Sequence, residues 1–157
     1  MVAILSLLLL VTNRLMNKSS IIIRYITKGE GKAMTIKQLR ERKGMTQAQF
    51  AKWVGVSTQS VVYWETGRNE PPECLPNLIE HRINNESLWE EGSLYNPKSF
   101  AELRKKTGLT LNDFATYIDV PRSTIEKWEY KTRGVKPRKY LYDLIKFKIF
   151  CDYIYNK

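Results

Sequence analysis

Thr46 to Gly67, TQAQFAKWVGVSTQSVVYWETG, reads as two short helices joined by a tight turn. Thr46 caps the first, and Gln49 three residues on completes a capping-box pattern. Phe50 and Ala51 give that helix a face to bury, and Ala51 is small enough to let a second helix cross closely. Gly55 stands where the chain must reverse, a position that often needs positive φ and so favours glycine. Ser57 caps the second helix, Val61 and Trp64 fall one turn apart on the same side, and Gly67 closes it.

Gln47, Ala51, Gly55, Val61 and Trp64, followed by the exit Glu65-Thr66-Gly67, place the right residue types at fixed offsets. On these residues the segment resembles the helix-turn-helix of the Cro/repressor (lambda-repressor-like, xenobiotic-response-element) family. A plain helical hairpin without a ligand would need neither Gln47 nor the polar run Ser57-Thr58-Gln59-Ser60. The resemblance implies an all-α fold and double-stranded DNA as partner, with the second helix in the major groove and its early residues at base edges. It puts Thr58, Gln59, Val62 and Tyr63 toward bases. Gln59 suits two hydrogen bonds to adenine, and Thr58 suits a thymine methyl. Gln47 would hold a phosphate and fix the register.

Working outward, Thr35 and Gln38 form a second capping-box pattern, opening a helix with Ile36, Leu39 and Arg40 on one side and an end at Gly44. Downstream, Pro71-Pro72 predicts a break and the start of a further helix, whose Leu75, Leu78, Ile79 and Ile83 close the core. Residues 34–84 thus form one four-to-five-helix unit, small but rich in local contacts.

The chain then repeats. Ile36, Leu39, Arg40, Gly44, Thr46, Phe50 and Ala51 return 64 residues later as Phe100, Leu103, Arg104, Gly108, Thr110, Phe114 and Ala115. Val61, Trp64 and Glu65 return as Ile125, Trp128 and Glu129. Beyond the tryptophan the offset is 66, so Pro71, Leu78 and Ile79 recur as Pro137, Leu144 and Ile145. A repeat of this kind predicts a second domain over residues 96–157, opened by Asn96-Pro97. The fold expected is all-α, with two tandem lambda-repressor-like domains joined by a linker at 85–95. In the linker, Leu88, Trp89 and Leu94 are the expected packing points. The aromatic stretch from Tyr140 to Tyr155 predicts a long helix in the second core, with a dimer or stacking surface as the alternative.

The second copy departs from the pattern: Gln47 becomes Leu111, Gly55 becomes Asp119 and Gly67 becomes Lys131. Its recognition positions are Arg122, Ser123, Glu126 and Lys127, and Arg122 would prefer guanine. It also carries the charge. From Ser93 onward 14 Lys and Arg oppose 7 Asp and Glu, a balance of +7, whereas Met34 to Gly92 holds 7 against 8, or −1. Arg40, Arg42, Lys43, Lys52 and Arg68 nevertheless lie near the first helix pair. With Gln47, the residues Arg40, Lys43, Lys52 and Arg68, together with Lys131 and Arg133 of the second copy, are the expected phosphate contacts. The recognition helices differ, so the expected DNA site is asymmetric.

The overall charge of +10 points to an acidic partner. Cys74 and Cys151 are too few and too far apart for a disulfide framework or a zinc site, and His81 has no companion ligands in the sequence. No paired carboxylates, Cys/His couple or phosphate-cradling glycine loop supports catalysis, so a non-enzyme without cofactor is expected, acting in the cytoplasm at the nucleoid. No membrane association is expected for residues 34–157. The rival class is a protein-interaction module or adaptor in which one or both units no longer read DNA, and a homodimer is a further partner option. No ligand-sensing domain is legible. Residues 1–33 carry the apolar run Val2–Val11, too short to span a bilayer, and continue nothing that starts at Met34. The expectation is that translation begins at Met34, with a membrane-adhering leader as the alternative.

Overall fold

Two reciprocal caps fix where the first helices begin. Thr35 Oγ1 accepts from the Gln38 amide while the Thr35 amide donates to Gln38 Oε1, and Thr46 and Gln49 repeat the exchange. In the computed structural model, which describes residues 33–130 and 134–155, these caps open α1 (Ile36–Arg42) and α2 (Gln47–Val54). Gly55, at φ +90°, turns the chain, and Ser57 Oγ accepts from the Ser60 amide to open α3 (Thr58–Glu65). The fourth helix, α4, is Leu75–Asn84. It starts three residues beyond Pro71-Pro72, and the proline in its first turn is Pro76. Residues 1–32, and with them the expectations about the leader, lie outside the described residues.

The second set follows the same plan: α6 (Phe100–Thr107), α7 (Leu111–Ile118), α8 (Arg122–Glu129) and α9 (Lys139–Ile149), the last running on into a π-helical end, Phe150–Tyr155. Ser99, rather than Asn96, caps α6 by accepting from the Glu102 amide. Asp119 takes the left-handed conformation of Gly55, at φ +59°. The chain is all-helical among the described residues, and none of its helices is long and apolar enough to cross a membrane.

Equivalent positions build the two cores. Leu39, Phe50, Val61, Leu75 and Ile79 are fully buried in the first set, as are Leu103, Phe114, Ile125 and Ile145 in the second. Along α4 the buried positions are Leu75, Leu78, Ile79 and Arg82, the i, i+3, i+4, i+7 face of a helix. Ile83, expected in the core, is only half-buried. The buried Arg82 is sandwiched between two indoles, 3.9 Å from the Trp53 ring centre and 3.4 Å from that of Trp89, and it donates to the Trp53 carbonyl. Burial pulls its guanidinium down to about 10, and the two ring faces offset part of that desolvation.

The segment between the sets is folded: a short 3-10 turn, Glu86–Leu88, leads into α5 (Trp89–Leu94). Trp89 meets Phe147 edge-on at 4.9 Å, and Leu88 packs beside it. Leu94, expected to pack, is 82% exposed. The packing point, two residues earlier, is Gly92, where a side chain would collide with the Phe147 and Phe150 rings. The C-terminal helix is correspondingly not confined to the second core, because α9 packs against α4, α5 and α6 alike.

Some of the contacts between the sets come in exchanged pairs. Gly55 lies against Tyr140, with an added Cβ 3.4 Å from that of the tyrosine. Its counterpart Asp119 accepts from Asn77 at 3.0 Å and acts on Cys74, which is the counterpart of Tyr140. His81 and Phe147, equivalent at the 66-residue offset, meet each other edge-on at 6.1 Å. A contact from i to j matched by one from the equivalent of i to the equivalent of j is the signature of a two-fold arrangement. Here it is built inside one chain.

Candidate nucleic-acid interface

The N-terminal turn of α3 presents its polar run outward: Ser57, Thr58 and Gln59 are exposed, while Val62 and Tyr63 are half-buried. Ser57 Oγ and Ser60 Oγ share a hydrogen bond at 2.8 Å, which holds that turn's cap. Arg68 stacks over the Tyr63 ring at 4.8 Å. Thr58 and Gln59 are therefore free to meet a ligand, Tyr63 is covered by a cation on one face, and Lys52 on α2 is exposed.

Behind this surface, Arg40 and Gln47 converge on one carboxylate. Arg40 Nε donates to Glu65 Oε1 at 2.6 Å and its Nη2 to Oε2 at 3.0 Å, while Gln47 Nε2 donates to Oε2 at 2.9 Å. A third guanidinium hydrogen bond, 2.9 Å to the Met45 carbonyl, ties α1 to the loop before α2. Burial pushes the Glu65 carboxyl up, but the hydrogen bonds from Arg40 and Gln47 outweigh it and hold the group below the usual carboxylate range. The Arg40 guanidinium is only 15% exposed. Lys43 is likewise engaged, by Glu86. Of the expected phosphate contacts in the first set, Arg40 is thus turned toward a buried carboxylate, Lys43 is paired with the exposed Glu86, Gln47 has its amide nitrogen committed, and Lys52 and Arg68 remain outward.

The second set reproduces the buttress without the glutamine. Arg104 grips Glu129 at 2.7 and 3.0 Å and the Leu109 carbonyl at 3.2 Å, and the half-buried Leu111 stands where Gln47 does. On α8, Ser123 and Lys127 are exposed. Arg122 is tethered: its Nε donates to Glu126 Oε1 at 2.8 Å and its Nη1 to Asn112 Oδ1 at 3.0 Å. Both bonds lie at the surface, where such pairs are weak and easily exchanged. Lys131 and Arg133 lie outside the described residues.

The Arg40–Glu65 and Arg104–Glu129 pairs escaped the reading of the sequence, although a signal was present: in each copy an arginine and a glutamate recur together, 25 residues apart. Arg82 gave no such signal, since its burial depends on two tryptophans remote in sequence. Among the described residues no three His, Cys, Asp or Glu side chains come together as a metal site.

Comparison with known proteins follows this geometry. Residues 33–79 match a family model described as a helix-turn-helix domain, and residues 100–140 match another described as helix-turn-helix, of the lambda-repressor/Cro type. No curated protein and no solved structure matches the chain.

Proposed function

We propose that this chain, a tandem helix-turn-helix protein whose second domain is of the lambda-repressor/Cro type, is a sequence-specific double-stranded DNA-binding transcriptional regulator. The observation that carries the reading is that each copy leaves the start of its third helix exposed while buttressing the end through an Arg–Glu pair. Thr58 and Gln59 on α3, and Arg122, Ser123 and Lys127 on α8, are the residues we assign to base edges. Gln59 suits adenine, and Arg122, once released from Glu126 and Asn112, suits guanine. Lys52 and Arg68 supply backbone contacts in the first domain, and the +7 balance of the second adds the larger electrostatic share. Residues 34–84 and 96–157 are the two domains in this reading, and residues 85–95 fix their relation. Action in the cytoplasm, at the nucleoid, follows from it.

The internal two-fold arrangement supports a further point. Single-domain DNA binders pair up on palindromes, with half-sites about one helical turn apart. A covalent pair with unlike recognition helices, TQSVVY and RSTIEK, selects an asymmetric site and binds it as a monomer. Selection of bound duplexes from a random pool tests this. One asymmetric consensus occupied by one chain is expected, and a symmetric consensus holding two chains would overturn it.

The alternative, an adaptor whose second domain binds a protein, is favoured by Leu111 in place of Gln47 and by the tethering of Arg122. In that case the selected consensus would span one half-site only.

A further inference from the structure

Between the ends of α3 and α8 lies a cavity of about 640 Å³ that the DNA reading leaves unused. Equivalent residues of the two sets line it together: Trp64 with Trp128 and Pro71 with Pro137. It is open to solvent on one side, and its size lies within the range of small-molecule sites.

The two halves differ in charge. Where the first domain contributes Glu70 and Pro72, the second contributes Lys136 and Arg138 at the equivalent positions. Neither Lys136 nor Arg138 has a carboxylate partner among the described residues. On the same wall, the Tyr140 hydroxyl is buried beside the Arg138 side chain. A ligand suited to these walls offers an aromatic ring to the indoles and carries an anion at one end. Glu70 repels that anion, so only one orientation is favourable.

We infer that this cavity is a binding site for a small aromatic carboxylate, its ring against Trp64 and Trp128 and its carboxylate on Arg138 and Lys136. A carboxylate takes paired hydrogen bonds from a guanidinium, the strongest anchor such a molecule can find. Because Tyr63, Trp64 and Trp128 belong to the two recognition helices, an occupant bears directly on their separation and hence on the spacing of the half-sites. Effector control then resides in the junction of the two domains.

Calorimetric titration of the full chain with benzoate and with 1-naphthoate, without DNA, tests the site. Saturable binding of at least one acid, one molecule per chain, is expected. The neutral isosteres benzamide and 1-naphthamide should bind at least about tenfold more weakly, and Arg138→Ala should lower the acid's affinity about as much, since a charge-assisted bond of that order is lost. Arg138 is exposed, so its removal leaves the fold intact, which circular dichroism checks. Absence of saturable heat with both acids would overturn the inference, as would equal binding of acid and amide or indifference to Arg138→Ala. If Arg138→Ala weakens DNA binding while neither acid binds, the cavity wall is a phosphate contact instead. Since the titration contains no DNA, its failure leaves the DNA-binding reading standing.

Discussion

Arg40 and Glu65, 25 residues apart, meet in a two-pronged ion pair at 2.6 and 3.0 Å that locks the first helix of the domain to the end of its third. Glu65 is 5% exposed and Arg40 15%. The pair costs desolvation, so its net contribution is smaller than its geometry suggests, but removing one partner strands the other. Glu65→Ala leaves Arg40 and Gln47 facing an empty site and should destabilise the chain by about 3 kcal/mol in urea unfolding. Glu129→Ala should do the same to the second domain. A double-mutant cycle over Arg40 and Glu65 should show strong coupling, and additive single effects would remove this account of the buttress.

The segment between the domains holds through a position with no side chain. A Cβ at Gly92 would stand 2.6 Å from Phe147 Cδ2 and 2.9 Å from Phe150 Cδ1, and both rings are buried. Gly92→Ala should therefore cost about 1–3 kcal/mol by overpacking. It should also displace α5 from α9, seen as a change in Trp89 environment by near-ultraviolet circular dichroism. An unchanged midpoint and spectrum would mean that α5 is not seated there.

Asp152 gathers three donors from three places. Tyr117 donates its hydroxyl at 2.7 Å, Lys148 its ammonium at 2.9 Å, and His81 Nε2 lies 3.0 Å away. Burial pushes the carboxyl up, but His81 and Lys148 outweigh it and hold the group well below the usual carboxylate range. A carboxylate depressed in the fold contributes stability that is complete above its unfolded value, about pH 4, and is lost as the pH falls toward the folded one. The stability gap between the wild type and Asp152→Asn should thus narrow as the pH drops from about 5 to 2.5. Parallel profiles for the two proteins would contradict it.

Much of the fold was legible because its signals are local. The caps at Thr35, Thr46 and Ser57 and the left-handed turn at Gly55 were readable from spacing and residue type, and all stand where expected. Helix starts marked by proline were displaced, since Pro71-Pro72 and Asn96-Pro97 permit a helix without requiring its first turn there. Cys74 and Ser99 take the cap positions instead. Long-range partners were the part sequence could not supply. Arg40 reads as a surface cation until Glu65 folds beside it, and Arg82 reads as a polar interruption until Trp53 and Trp89 enclose it. Gln47 belongs to both classes: its position was legible, its hydrogen bond to Glu65 was not.

The most direct test of a tandem sequence reader is fluorescence anisotropy of the full chain on the selected duplex and on a scrambled duplex, across a salt series. Tighter binding to the selected duplex is expected, with affinity falling steeply as salt rises. Gln59→Ala and Arg122→Ala should each weaken only the specific complex, by about 1–3 kcal/mol, at separate half-sites. Equal affinity for both duplexes, unaffected by either substitution, would contradict sequence reading and leave a chain that only grips the backbone.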